Sequence, residues 1–371
     1  MYKIKRVSIT PVEIIPLILG AFGLVMVFSA SSGISIFKTV IPNSFIKQLI
    51  IFAFALTLFF LISKIKPKFW EEFSLFFTIL AIFLLILTHL CGVEINGAKR
   101  WLLIKAFHLK FSFQPSIFAQ FSLILFLAKK RNFWTSISII SIIMALIIIQ
   151  PDISMALLSL LLGTIMLFLN GTEIRNLGIF FLTTMLLGIL FISTKGYAIR
   201  RLTNHFSKEA ITATVQAISH GGFSGLGLGS GMEKFFYIPL PDSDFIFSII
   251  GEELGFAGCI FVAGLFLIYL ISAIKVSLKA KDQYTMLLGL GLIIFLGAFT
   301  LIHIYVSTGI FPVTGIPLPF ISSGGTALII AYMAGGIIVS IQKNNNYIGW
   351  RNRRPHLSGT RGSQGIRKKR I

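Results

Sequence analysis

The stretch PLPDSDFIFSIIGEELGF, residues 239–256, gathers Asp242, Asp244, Glu252 and Glu253, four of the chain's thirteen acidic residues, where a polar loop enters an apolar run. A carboxylate at such an edge can accept a proton or ligate a cation, so Asp244 suits a general base or a metal ligand; it equally suits a helix N-cap. Asp242 beside it can raise one carboxyl's pKa by like-charge repulsion or share a cation. Glu252 and Glu253 fall roughly 12 Å deeper along a helix, where ionisable groups usually support a cavity or pair with a buried cation.

Other polar residues cluster in three further places. In INGAKRWLLIKAFHLKFSF, Lys99, Arg100 and Trp101 precede an alternation that predicts an extended strand through Leu109, Phe111 and Phe113. Trp101 can be a binding residue or an interfacial aromatic anchor. Between 194 and 243, Arg200 and Arg201 precede HGGFSGLGLGSGMEK. Those glycines can form an anion-binding nest or simply tight turns, and no strand-turn-helix unit surrounds them to make a dinucleotide fingerprint. Lys99, Arg100, Arg200 and Arg201 all suit phosphate, although anionic headgroups attract the same residues.

Within TGIFPVTGIPLPFISSGGTALI, three prolines and four glycines forbid a continuous helix. Such backbone survives at membrane depth only inside protein or against a wet cavity, which Ser322, Gly324 and Gly325 would line while Pro319 holds the bend. In IIIQPDISMAL, Pro151 suits a helix start and Asp152 the positive end of its dipole.

The elements that must position these residues are membrane helices. The chain is 55% hydrophobic and 12% charged, with 37 phenylalanines among 371 residues. Apolar runs predict ten spans, at 12–30, 47–63, 72–90, 114–128, 133–149, 153–170, 176–193, 245–274, 284–308 and 322–341. The expected fold is an all-α polytopic membrane domain over residues 1–341 with a large extracytoplasmic loop at about 194–243. A tail over 342–371 adds nine basic residues without apolar periodicity and is expected to be disordered.

Lys3, Lys5, Arg6, Lys64, Lys66, Lys68, Lys129, Lys130, Arg131, Arg175, Lys275, Lys279 and Lys281 fall on one side of this topology, which makes that side and both termini cytoplasmic. The net charge of +20 is therefore a signature of topology and of anionic membrane lipids, and nucleic acid is not an expected partner. Cys91 and Cys259 have no metal-type spacing and suggest no disulfide framework.

Taken in order, NGAKRW, QPS, QPD, GGFSGLGLGSGMEK, DFIFSIIGEELG and PVTGIPLPFISSGG resemble the SEDS family of shape, elongation, division and sporulation proteins, over nearly the whole chain. IGEELG preceded by EKFFYIP is most similar to the FtsW branch. The resemblance implies an external active site in the bacterial cytoplasmic membrane that polymerises lipid II, an undecaprenyl-diphosphate-linked disaccharide-pentapeptide, at the division septum for that branch. It carries the family's essential aspartate onto Asp244 and its loop tryptophan onto Trp101. A class B penicillin-binding protein transpeptidase and other division proteins are implied as partners. A divalent cation, magnesium or manganese, is a possible cofactor.

The alternatives are a RodA-type elongation polymerase and a lipid II flippase or transporter, the latter because broken helices and buried carboxylates also mark transporters. Several positions depart from the family pattern. Ile117 and Gln120 replace an acid and a lysine, Asp242 a histidine, Ser323 a tyrosine and His303 an asparagine.

Overall fold

The computed structural model describes residues 10–32, 43–95, 98–106, 109–193, 208–236 and 238–351. Helices α1 (Pro11–Ser32), α2 (Asn43–Ile62), α3 (Pro67–Glu72) and α4 (Ser74–Cys91) lead into strands β1 (Val93–Ile95), β2 (Ala98–Ala106) and β3 (Leu109–Phe113). Then follow α5 (Pro115–Ala128), α6 (Phe133–Ile149), α7 (Ile153–Leu169), α8 (Ile174–Ser193), α9 (Lys208–Gly221), α10 (Glu233–Phe236), α11 (Ile246–Leu278), α12 (Gln283–Ser307) and α13 (Gly325–Arg351).

Among the described residues, six helices (α1, α2, α4, α11, α12 and α13) are long and apolar enough to cross a membrane, and α5, α6, α7 and the Ile174–Leu190 part of α8 are shorter apolar helices. The short α5 is explained by its surroundings. Every one of its fourteen residues is buried, against α4, α7 and α12, so it need not match the thickness of a bilayer on its own. By contrast α2, α4 and α8 turn Phe54, Phe76, Phe83, Leu182 and Leu187 outward, as a lipid-facing surface requires.

Lipid tails are as apolar as leucine, so close packing and buried hydrogen bonds must hold such a bundle together. Gly23 provides one close approach: a Cβ there would lie 2.7 Å from Cα of Ile321, so α1 runs directly against the irregular segment before α13. Tyr332, fully buried on α13, donates its hydroxyl to the Pro16 carbonyl at 2.8 Å and ties the same two helices. Gln120 donates to the Met155 carbonyl at 2.9 Å and to Ser159 Oγ at 2.6 Å. With Ile117 buried one turn away, the missing charge pair leaves no orphan charge inside α5.

Three features add detail to the helical bundle. β1, β2 and β3 form an antiparallel sheet in that order beside it; β3 is the strand read from the alternation. Within the long stretch 194–243 lie α9 and α10, and α9 packs along α11. The span beginning near 245 is interrupted. Gly255 breaks α11 with φ 69° and ψ −169°, backbone open in practice only to glycine.

That break exposes peptide groups, and the glycine-rich loop satisfies them. Leu226 and Gly227 donate their N–H groups to the Glu252 and Glu253 carbonyls at 3.0 and 2.9 Å, while Phe256 and Ala257 donate to Gly222 and Phe223 at 2.9 and 3.1 Å. A Cβ at Gly225 would fall 2.2 Å from the Glu253 carbonyl oxygen. These N–H groups splint a broken helix and are not available as an anion nest.

Candidate active site

Asp244 closes a turn in which its own N–H donates to the Leu240 carbonyl at 3.1 Å. The N-cap of α11 is Phe245, with no side-chain cap bond, so Asp244 is not the cap of that helix. Its carboxylate instead faces the other irregular segment: the position a Cβ would take at Gly315, where φ is +70°, lies 3.7 Å from Asp244 Oδ2.

Residues 242–244 are held in place by the segment preceding α13. Ser322 Oγ donates to the Ser243 carbonyl at 2.8 Å and accepts the Leu318 N–H at 2.8 Å. Ser323 donates its N–H to the Asp242 carbonyl at 2.9 Å, and the Ser323 side chain also hydrogen-bonds the Asp242 carboxylate. The family departures at 242 and 323 are thus partners. From α2, Gln48 Nε2 donates to the Ser322 carbonyl at 3.2 Å.

Burial drives the Asp244 carboxyl up to about 6; a hydrogen bond from the Ser243 side chain opposes the rise and the neighbouring Asp242 charge adds to it. Asp242 is also raised, chiefly by burial, against the lowering effect of its own backbone and of Ser323. A carboxylate near 6 is ionised at neutral pH yet basic enough to take a proton from a hydroxyl during bond formation.

Glu253 and Glu252, two turns into α11, have different partners. Glu253 is fully buried against Lys234, with Nζ 2.5 Å from Oε1, and accepts the Ser29 hydroxyl at 2.7 Å. The Lys234 ammonium also donates to the Ser29 and Gly229 carbonyls at 3.1 and 3.2 Å, which distributes its charge among buried acceptors. Glu252 Oε1 accepts the N–H groups of Met232 and Glu233 at 2.6 and 3.0 Å, capping the short α10 from outside. Lys234, absent from the residues singled out in the sequence, is signalled only by its place beside a deep carboxylate.

Arg100 and Asp152 also meet, with Nη1 3.7 Å from Oδ1, and Arg100 donates to the Pro151 carbonyl. Asp152 stands at the N-cap position of α7 but makes no cap bond; Gln114 Nε2 and Ser116 Oγ approach its Oδ2 at 3.3 and 3.4 Å instead. Asp152 thus stands at the N-terminal end of α7 and also anchors β2 through Arg100. Gln114 donates its N–H to Thr326 Oγ1 at 2.8 Å, so the sheet and the start of α13 are joined. Trp101 is half-buried on β2, and Lys99 is exposed. Gly324 and Gly325 lie at the start of α13, half-buried, and Pro319 is buried in the bend before it. Arg200 and Arg201 lie outside the described residues.

Among the described residues, no group of three or more histidines, cysteines or carboxylates could hold a metal. Two adjacent carboxylates do fit the weaker demand of magnesium, which usually takes one or two carboxylates and completes its shell with water and substrate phosphate.

A helical membrane bundle with a raised carboxyl beside a broken helix thus defines the class. A family model covering FtsW, RodA and SpoVE, described as cell cycle protein, matches residues 10–347, and the chain belongs to that family. Stage V sporulation protein E of Bacillus subtilis (strain 168) is 32% identical over 359 residues, covering 90% of this chain and 96% of that protein. A probable peptidoglycan glycosyltransferase FtsW of Trichlorobacter lovleyi is 32% identical over 350 residues, covering 87% and 90%.

Solved structures share the fold. A chain from a study of structural coordination of polymerization and crosslinking by a peptidoglycan synthase complex aligns with TM-score 0.73 at 23% identity, covering 90% of this chain and 97% of that one. The rod shape determining protein RodA of Thermus thermophilus aligns with TM-score 0.67 at 22% identity, covering 92% and 98%.

Proposed function

We propose that the protein is a peptidoglycan glycosyltransferase of the FtsW type, which lengthens glycan strands from lipid II at the outer face of the bacterial cytoplasmic membrane. The observation that carries this reading is the Asp244 carboxyl, raised to about 6 just before α11 and set against Gly315 in the irregular segment between α12 and α13. The names and lengths of the relatives support the same activity.

In the reaction the 4-hydroxyl oxygen of one sugar attacks the anomeric carbon of another. The bond from that carbon to the diphosphate breaks, the diphosphate leaves with the bonding pair, and Asp244 takes the hydroxyl proton. Its half-buried position suits a substrate whose sugars are in water and whose tail is in lipid. Burial keeps the carboxyl basic, with the Asp242 charge adding to it, and Ser322 fixes the backbone that carries both acids. In the alternative reading of Asp244 as a metal ligand, it and Asp242 would hold a divalent cation that neutralises charge on the leaving group.

Lys99, exposed beside Trp101, and the arginines at 200 and 201 are the cations for diphosphate; Arg100 positions the sheet through Asp152. The basic loops support a topology with both termini in the cytoplasm. A class B penicillin-binding protein is the partner that would crosslink the strands, in keeping with the polymerization and crosslinking attributed to the structural relative.

The test is polymerisation of purified lipid II by the full chain with its penicillin-binding partner, comparing wild type with Asp244→Asn and checking that both are folded. Long strands from wild type alone are expected. Strands from both would remove Asp244 from the chemistry, and strands from neither, with metal supplied, would turn the reading to lipid transport.

A further inference from the structure

The bundle carries a second polar site, at the end opposite Asp244. Along α12, Tyr284 lies nineteen residues, roughly 28 Å at helical rise, before His303, whose Nδ1 is 2.9 Å from the carbonyl of Ile316, the neighbour of Gly315. There a cavity of about 670 Å³ is lined by Lys66, Lys68 and Glu71 near α3, Lys129 and Lys130 after α5, and Tyr284 at the start of α12. This volume is within the range of small-molecule sites.

Its charge is unbalanced. Four lysines face two carboxylates, Glu71 and Asp282, and both acids are engaged: Glu71 with Lys129 at 3.7 Å, and Asp282 with the Thr285 N–H at 2.8 Å. Lys68 reaches Glu72 at 3.9 Å on an exposed surface. Among the described residues, Lys66 and Lys130 have no carboxylate within ion-pair distance. Tyr284 is only 7% exposed, and its buried hydroxyl has no hydrogen-bond partner among the described residues. An unsatisfied hydroxyl beside a cavity with two lysines that lack a carboxylate partner calls for an acceptor-rich anion.

We propose that this cavity binds the phosphate of an anionic phospholipid headgroup, with Lys66 and Lys130 as its principal cations and Tyr284 as a neutral donor. A lipid is favoured over a soluble phosphate because Phe69, next to Lys68 in α3, packs on Phe73 at 4.6 Å, and both exposed rings offer acyl chains an apolar flank. The chain's own tail does not suit the cavity, since residues 342–371 carry nine basic side chains and none that are acidic. Headgroup binding between helix ends would brace α3, α5 and α12 without touching the carboxylate site.

The full chain, purified in detergent, is titrated with dioleoyl phosphatidylglycerol or dioleoyl phosphatidylcholine and bound lipid is read by native mass spectrometry. Inorganic phosphate is titrated in parallel by thermal shift. Wild type should prefer phosphatidylglycerol, and Lys66→Gln with Lys130→Gln should weaken it by about tenfold for each lost contact to charge. Tyr284→Phe should weaken it severalfold while the lipid-free melting temperature stays close to wild type. Lys275→Gln with Lys279→Gln, basic but outside the cavity, should change nothing. An equal loss in that control pair, or no preference in wild type, would overturn the site; phosphate binding lost in the cavity pair without lipid preference would overturn its lipid occupant.

Discussion

Lys234 and Glu253 form an ion pair of 2.5 Å whose side chains are both shut off from solvent. One residue lies next to the glycine-rich loop and the other just before the break in α11, so the pair locks the loop onto the helix it splints. The Ser29 hydroxyl completes the network from α1.

Removing one member should leave an uncompensated buried charge. Lys234→Met and Glu253→Leu should each cost about 3–5 kcal/mol, whereas the double substitution should recover much of that loss. Thermal unfolding of the purified proteins in one detergent measures it. A double variant as unstable as the sum of the singles would mean that the pair is not coupled.

Asp244 gives a pH dependence with a definite sign. As the base it must be ionised, so polymerisation should rise with pH to a plateau, with an apparent midpoint of about 6. Asp244→Asn should lose roughly 10²- to 10⁴-fold. Asp242→Asn should move the acid limb to lower pH, because the neighbouring charge raises Asp244. A limb that does not move would reject that coupling.

The same raised carboxyl should burden stability. Between about pH 4 and 6 the folded chain keeps a proton that the unfolded chain releases, so stability falls as pH rises through this window. Asp244→Asn carries no ionisation penalty. It should be more stable by about 1–3 kcal/mol at neutral pH, with the gain gone near pH 4. Denaturation of both proteins at the two pH values is the check.

Gly255 and Gly225 should resist substitution for separate reasons. Gly255→Ala forces a side chain into backbone with φ 69°, and Gly225→Ala drives a Cβ towards the Glu253 carbonyl. Each should cost about 1–3 kcal/mol or more and loosen amide protection at residues 222–227. Hydrogen exchange at those amides as slow as in wild type would show that the splint is dispensable.

Asp242 and Ser323 should behave as a unit. Asp242→His and Ser323→Tyr restore the family's usual residues singly, each against the wrong partner. A double-mutant cycle on folded yield and melting temperature should show coupling of about 0.5–3 kcal/mol. Strict additivity would make the two departures independent.

Much was legible from local pattern. Apolar run length predicted membrane helices, period-two alternation predicted β3, and the colinear motifs identified the family, because each depends on residues close in sequence. The depth of Glu252 and Glu253 likewise implied that they needed support. Which groups supply it could not be read, since Ser29 lies 224 residues from Glu253. Only packing brought them together.

Tertiary structure also decided between readings that the sequence left open. Asp244 and Asp152 each occupy a plausible capping place, but a carboxylate chooses among all donors within reach, and neither makes a cap bond. The glycine run has the composition of an anion nest, yet its N–H groups at Leu226 and Gly227 satisfy carbonyls next to the break at Gly255. Composition determined that this chain belongs in a membrane and where its charges enter it. The fold determined which of those charges are neutralised by partners and left the Asp244 carboxyl, raised by burial, facing Gly315 without a basic partner among the described residues.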